Sequence, residues 1–594
     1  MRRRPGSGGL PGCSHSIAGT GWVRRAGAVV AALVAGLSGT VAARALEAYP
    51  LAFQSAPALA ERPYASNVLS AQDARRYQRA FALQDQADWA AADAELARLS
   101  DRLLVGHVLA QRYRSPRYKT SYGELRDWLA GNRALPGSEA IHALALARKS
   151  KKDPLPARPS AAVERYQLPA YTFARGSFTY LGDPGAGREP VTLPRAAVAK
   201  QDERRLRLAA TAYYGGDDER ALAIASPLSD RAREALPQAD WIAGLAAWRL
   251  GKIKVAAAHF HALAHSEVAS PWDRAAGGVW AARAYLVDRQ PVLVNRMLGQ
   301  AAQYERTFYG LIAQRMLGRE ARFSWAGPPL ERGAADQLMR LPAVRRALAL
   351  AELGQYGLAD AEMQQLLERI DPDWAPSVLA LAMRLNVPVS QVQLAKGLQK
   401  SHGKVFDIAY YPLPPWRPQG GFTLEPALVY AFMRQESGFN EEAESAAGAR
   451  GLMQLMPDTA SFVANDPSLR EHAKSRLFQP ELNLRLGQKY IEHLLGQDEI
   501  KGNLFLLAAA YNTGPGKLDK WRKAMPRHND PLLFIESMPS QQTRDFVERV
   551  MANYWIYCHR LGIATPSLDQ VASGEWPRYA GTETVTWNAP SAGN

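Results

Sequence analysis

From about Leu69 to Leu317 the chain repeats one physical unit, a short amphipathic stretch whose contact positions are small residues. Residues 80–99, 122–129, 206–214, 241–250 and 278–286 all read as helices of this kind. Turn signals join several of them, as in Gly215-Gly216-Asp217-Asp218 and Leu250-Gly251-Lys252, and alanines recur at Ala221 and Ala256–Ala258. Helices this short are marginal alone, so their stability must come from packing on neighbours. Alanine, leucine and arginine dominate and β-branched runs are scarce, which predicts a mainly α protein. The chain is 47% hydrophobic and 22% charged, a balance that disfavours both disorder and a polytopic membrane protein.

The repeating units resemble a degenerate tetratricopeptide-like array, an α-superhelical domain in which each helix pair packs only on its neighbours. A glycine- and proline-rich break at 176–194 interrupts it. A second helical block, 332–400, follows Ala326-Gly327-Pro328-Pro329, with stripes at Leu348, Leu350, Ala351 and at Val378, Leu379, Leu381. Then Tyr410-Tyr411-Pro412-Leu413-Pro414-Pro415-Trp416 forms a stiff connection. These signals divide the chain into an α-superhelical domain at 46–325, a helical linker domain at 326–409 and a C-terminal domain at 410–594.

Arg24 and Arg25 precede an apolar run from Ala26 to Ala42, and Ala43-Arg44-Ala45 offers small residues where a signal peptidase cuts. Residues 1–45 therefore read as a signal peptide cleaved near Ala45, which predicts a periplasmic protein without a retained membrane segment. The run is short and Ala/Gly-rich for a bilayer span. Cleavage removes six arginines and no acids, so the formal charge falls from +15 to +15 − 6 = +9. A basic exported chain suits an anionic wall polymer. No zinc finger, recognition helix or lysine-arginine run supports nucleic acid as partner. Only Cys558 remains after Ala45, so no internal disulfide is expected.

Every chemical signal lies beyond the proline-rich connection. Residues 423–435 read as an amphipathic helix capped by Thr423, with Pro426 in its first turn and Val429, Phe432 and Met433 on the buried face. The next position of that stripe is Glu436, followed by Ser437-Gly438-Phe439. A carboxyl group among apolar side chains has a raised pKa and keeps its proton near neutrality, as a general acid must; a last-turn glutamate facing water is the plainer alternative. Gly451-Leu452-Met453-Gln454-Leu455-Met456-Pro457 follows, its glycine suggesting backbone held close to another surface. A second buried stripe, Leu504, Leu507 and Ala508, leads to Tyr511-Asn512-Thr513-Gly514. Finally Phe546, Val550, Tyr554 and Tyr557 line one face of a long helix from about Gln541, with Glu548 and Arg549 outside.

Glu-Ser-Gly-Phe from Glu436, then Gly-Leu-Met-Gln-Leu-Met-Pro from Gly451, then Ala-Ala-Tyr-Asn-Thr-Gly around Tyr511, in order within 80 residues, resemble the motifs of the soluble lytic murein transglycosylases, with a goose-type-lysozyme-like catalytic domain. The resemblance covers about residues 420–560 and, more loosely, the superhelical and linker regions, including the Phe308-Tyr309-Gly310 stretch. It implies that Glu436 is the catalytic acid/base and that Ser437 helps orient the sugar. Gln454 and Met456 would line the glycan groove, Tyr511 would support the reacting centre, and Asn512 would shape the turn beneath. Gln542 stands where the family shows an acid. No cofactor or metal is implied. The expected partners are peptidoglycan glycan strands and cell-wall synthesis enzymes, met by a monomer. The implied reaction cleaves the β-1,4 bond between N-acetylmuramic acid and N-acetylglucosamine without water, leaving 1,6-anhydromuramic ends. Two alternatives stay open on sequence: a muramidase that uses water at the same bond, and a non-catalytic repeat scaffold at the wall.

Overall fold

The computed structural model describes residues 68–159, 199–525 and 529–581. The signal segment at 1–45 and the break at 176–194 lie outside the described residues. Within them the chain is almost wholly helical, with only isolated β-bridges. No helix there is long and apolar enough to cross a membrane.

The stretch expected as one helix at 80–99 is two, Ala71–Gln86 and Trp89–Ala97. Ala87 adopts φ 64° and closes the first, and the Asp88 side chain accepts from the Ala91 amide to cap the second. Alanine hides such breaks, because it scores as helical wherever it falls. From Lys200 onward the pairs follow the sequence more closely. Lys200–Tyr214, Asp218–Ala232, Gln238–Arg249, Ile253–His265, Pro271–Val287 and Pro291–Ala301 each pack on the next. The helix expected at 278–286 starts a full two turns earlier, where Ser270 caps it and Pro271 takes the first position. Its glycines explain the tight stacking. A Cβ on Gly277 would lie 2.8 Å from the Ala264 nitrogen, and one on Gly278 would lie 2.9 Å from the Ala301 Cβ.

The apolar cores do not follow chain order. The first helices bury Tyr77, Phe81 and Leu104 together with Val344, Leu350, Trp374 and Leu379 of the 332–400 block. A buried ion network joins the two, with His107 2.8 Å from Glu362 and Arg346 2.6 Å from the same carboxylate. The repeats after Lys200 instead share a core with the C-terminal lobe. Their docking piece is the helix Phe308–Met316. Phe308 stacks on Trp555 at a centroid distance of 5.4 Å and meets Phe505 edge-on at 5.8 Å. Tyr309 donates to Glu536 and accepts from the Trp280 indole at 3.0 Å. Glu548, expected outside its helix, turns inward to hydrogen-bond Glu536, and burial holds its carboxyl well above the usual range. Counting along one helix could not show this, since its partner Glu536 stands on a separate helix, Pro531–Ser537.

Gly310 is where the two segments fit most closely. A Cβ there would stand 2.0 Å from the Tyr304 carbonyl oxygen, which is backbone and cannot move aside. Gly310→Ala should therefore lower the melting temperature by several degrees. Gly299→Ala, also in a helix but facing open space, should raise stability by about 0.5–1 kcal/mol through reduced chain entropy. Equal shifts in thermal melts of the two variants would contradict this packing.

Candidate active site

The helix that carries Glu436 runs Pro426–Glu436, two residues later than Thr423 as its cap would place it. Thr423 instead uses its amide to donate to Gln488, at 3.2 Å. Proline at the first helical position needs no amide partner and fixes the start. Glu425, just before, accepts from the Tyr554 hydroxyl at 2.6 Å, which ties the helix start to the long helix Gln541–Leu561. Leu428, Val429, Phe432 and Met433 are buried as the periodicity predicts.

Glu436 ends the helix half-buried. Burial alone pushes its carboxyl up from 4.5 to about 8. No cation offsets it. Arg434, two residues earlier, points away, donating to the Tyr410 carbonyl and to Asn553 (3.2 Å) while lying 4.4 Å over the Tyr411 ring. Immediately after Glu436 the backbone turns sharply through Gly438 (φ 56°) and Phe439 (φ 73°). A left-handed aromatic residue is costly. Two contacts hold it: the Phe439 ring is fully buried, and its amide donates to the Ser437 hydroxyl at 3.1 Å. Ser437 also donates to the Met433 carbonyl at 3.2 Å, so this hydroxyl fixes the turn that presents Glu436.

The Gly451–Gln454 stretch is a tight loop closed by reciprocal hydrogen bonds between Arg450 and Leu455 at 3.0 and 3.1 Å. Gln454 has φ 45°, and its side-chain amide donates to the Ala443 and Gly451 carbonyls, both at 2.9 Å. Asn483, fully buried on the helix Pro480–Leu495, clamps the loop from behind. It accepts from the Met453 amide at 2.7 Å and donates to the carbonyls of Arg450 (2.9 Å) and Leu477 (2.7 Å). Gly451 is required at this contact, since a Cβ would sit 2.3 Å from the Leu477 oxygen and 2.5 Å from the Asn483 nitrogen. Asn483 is the residue the sequence reading missed. A polar amide inside the buried stripe of Leu482, Leu484 and Leu486 was the signal available.

Tyr511 packs against Phe432 at a centroid distance of 4.7 Å, Tyr490 at 5.3 Å and Phe546 at 6.5 Å. Its hydroxyl donates to the Met453 carbonyl at 2.8 Å. Burial first, and then the nearby Glu436, hold this phenol well above its usual pKa. Glu436, Tyr511 and the Gly451–Gln454 loop thus form one unit. Asn512 accepts from the Thr543 hydroxyl at 2.9 Å, joining the end of helix Leu504–Thr513 to the start of helix Gln541–Leu561. Gln542 is exposed beside that joint. Met456 is exposed at the start of the next helix.

The acids downstream of Glu436 are engaged elsewhere. Glu442 pairs with Arg114 of the N-terminal helices at 3.1 Å, and Glu444 pairs with Arg450 at 2.6 Å. Glu441 lies against the linker helix Tyr356–Leu367, so close that a Cβ on Gly357 would be 1.9 Å from its carboxyl oxygen. Burial, then the charges of Glu442, Glu481 and Asp360, push Glu441 up to about 8. Glu436 is therefore a partly buried carboxyl beside the Tyr511 cluster with no cation to offset its desolvation, and Glu441, Glu442 and Glu444 are turned to other neighbours.

An all-helical lobe built this way is lysozyme-like in class. Residues 417–533 match the family model described as the transglycosylase SLT domain, and Glu436 lies inside that match. The chain is 28% identical over 281 residues to the soluble lytic murein transglycosylase of Salmonella typhimurium, covering 47% of this chain and 42% of that one. It is 28% identical over 305 residues to the namesake of Escherichia coli, covering 50% and 45%. The chain thus spans less than half the length of these relatives. Among solved structures it resembles an inactive mutant of the lytic transglycosylase Slt from Pseudomonas aeruginosa, with a TM-score of 0.50 and 19% identity over 85% of this chain and 75% of that one. That likeness is one of fold, a superhelical region followed by a lysozyme-like domain.

Two measurements test the site. Asn483→Ala removes three hydrogen bonds from buried groups and should cost about 2–4 kcal/mol of stability, read by chemical denaturation. The raised carboxyl of Glu436 has its own signature. Below pH 4.5 the group is neutral in both folded and unfolded chains; above it, the unfolded chain releases a proton that the folded one retains until about pH 8. The stability tied to this proton is thus present below pH 4.5 and lost as pH rises to 8. Glu436→Gln, which never ionises, should match wild type at pH 4 and melt progressively higher than it toward pH 8. A melting difference independent of pH would show that the carboxyl is not held dry.

Proposed function

We propose that the chain is a peptidoglycan lytic transglycosylase, cleaving the bond between N-acetylmuramic acid and N-acetylglucosamine and closing a 1,6-anhydro ring on the muramic residue. The observation that carries this reading is the solitary, uncompensated carboxyl of Glu436. Two-carboxylate glycosidases need a second acid across the cleft as nucleophile or base, and Glu441, Glu442 and Glu444 are each turned to another partner. A single residue must then serve twice, as acid and afterwards as base.

Glu436 starts protonated and gives its proton to the glycosidic oxygen as the bond to the muramic anomeric carbon breaks. The substrate's own N-acetyl carbonyl oxygen bonds that carbon, in place of an enzyme nucleophile. The Glu436 carboxylate then takes the proton from the muramic C6 hydroxyl, whose oxygen displaces the acetamido oxygen. Protons balance and no water enters. A group with a pKa of about 8 gives and recovers a proton readily near neutrality. Ser437 acts by holding the turn behind Glu436. Tyr511 and Gln454 act by holding the Gly451–Gln454 loop as a rigid groove wall, with Met456 at its edge. Asn512 and Gln542 sit at the joint that fixes Tyr511, and Gln542 serves in place of an acid without transferring a proton. The domain limits at 46–325, 326–409 and 410–594 fit these roles, as a frame, a connector and the site. An exported, periplasmic location fits the substrate.

Mass analysis of fragments released from purified sacculi tests the reading, with anhydromuramic ends expected and free reducing ends favouring a muramidase. Glu436→Gln should lower turnover at least about 10²-fold. For wild type, kcat/KM should hold through neutral pH and fall as pH rises through about 8, when the acid is lost. Glu441→Gln should leave that limb in place, and a limb that moved with Glu441 would transfer the role. Tyr511→Phe should cost about 1 kcal/mol, because the Met453 carbonyl loses its donor, and should reduce turnover together with stability. Unchanged turnover would remove Tyr511 from the site.

A further inference from the structure

Among the described residues of the C-terminal lobe, two large apolar side chains stand in water, Met456 and Phe462, 39% and 63% exposed. Both belong to one short helix, Pro457–Ala464, and its cap, directly after the Gly451–Gln454 loop. That helix packs on Pro480–Leu495. There Phe462 meets the His493 ring edge-to-face at a centroid distance of 5.1 Å. His493 stands one turn from Tyr490 on the same helix, so the two side chains share a face. Tyr490 in turn packs on Tyr511, with 5.3 Å between centroids. A row of rings therefore leads outward from Tyr511, beside Glu436, through Tyr490 and His493 to Phe462.

Exposure rises along this row. Tyr511 and Tyr490 are half-buried, whereas His493 and Phe462 are exposed. Two polar atoms on it are free. The Tyr490 hydroxyl makes no hydrogen bond among the described residues. The Gln497 amide nitrogen donates to His493 Nε2 at 3.0 Å, which leaves the ring proton on Nδ1, without a partner there. The row thus offers an open aromatic face and two donors about one helical turn apart.

These features suit a neutral, hydroxylated ring. A pyranose presents C–H bonds on its faces and hydroxyl and acetamido groups at its rim. The C–H bonds pack on the electron-rich face of an aromatic ring, and covering that face releases water from an apolar surface. The rim oxygens accept from donors beside it.

We propose that Phe462, with Tyr490 and His493, forms a subsite for an amino-sugar ring of the glycan strand, outward from the reacting centre at Glu436 and Tyr511. This rests on the peptidoglycan reading above and adds a specificity to it. Phe462 takes the sugar face, and the Tyr490 hydroxyl and His493 Nδ1 donate to groups at the rim. A strand too short to reach Phe462 forgoes this contact, so the subsite favours long strands over short ones.

The test measures kcat/KM of the full chain on glycan oligomers from sacculi, separated by length. Wild-type values should rise with length and level off once the strand covers Phe462. Phe462→Ala should lower kcat/KM on the longest oligomers about fivefold, mainly through KM, the effect of one lost ring contact. On the shortest oligomers that are cleaved it should match wild type. Phe462→Trp should retain the length dependence, and His493→Ala should weaken it. A length profile of Phe462→Ala superimposable on wild type overturns the inference while leaving the peptidoglycan reading intact. So does a loss shared equally by all lengths, which a merely structural role of Phe462 would produce together with a lower melting temperature. Failure of wild type to cleave any oligomer overturns both.

Discussion

A carboxyl group kept from water with no cation beside it is costly, and most of the C-terminal lobe is arranged around that cost. Helix Pro426–Glu436 is buried from Ala427 to Met433, and its last residue emerges near Tyr511, whose ring packs on Phe432. Arg434, the nearest cation in sequence, is turned away onto the Tyr411 ring and secured by two hydrogen bonds. An arginine beside Glu436 would lower its pKa and remove the acid. The turn after Glu436 needs two left-handed residues, one of them phenylalanine, and a serine hydroxyl to hold them. Local strain of this kind persists where the surroundings over-determine it.

The second constraint is rigidity of the loop opposite. Gly451–Gln454 has unusual backbone angles and no regular secondary structure, yet its polar groups are partnered from three directions. Asn483 meets it from one helix, Tyr511 from another, and Gln454 turns its own amide back on the loop. Asn483 and Tyr511 stand on helices packed in the common core, so the loop inherits the positional precision of the scaffold. The same core extends into the repeats through Phe308 and Tyr309. The repeats are thereby part of the structure that fixes the long helix Gln541–Leu561, and so of the site.

The linker helices complete the frame. They share a core with the first helices of the chain, touch the C-terminal lobe at Glu441, and add Val392 to its core. Arg306, with the buried Asp407, bonds the end of the repeats to the segment before the proline-rich connection, at 2.5 and 2.7 Å. Segments far apart in sequence therefore meet around the C-terminal lobe.

The helical class, the order of the motifs and the stripe that ends at Glu436 were legible in the sequence, because periodicity and turn residues act over a few neighbours. Helix starts were read less well. Thr423 looked like a cap while Pro426 set the true start, and alanine-rich 80–99 concealed a break at Ala87. Glu548 read as exposed because its buried partners lie on other helices. Tyr511 was marked as part of the site, but that its proton goes to the Met453 carbonyl required the fold. Asn483 went unread for the same reason, since an amide in an apolar stripe has no evident purpose until the loop it clamps is in place. The sequence determined which residues are candidates for the chemistry, through their type and local spacing. Only the tertiary structure decided their state, because desolvation, hydrogen-bond partners and the absence of a facing charge are properties of what distant segments bring together.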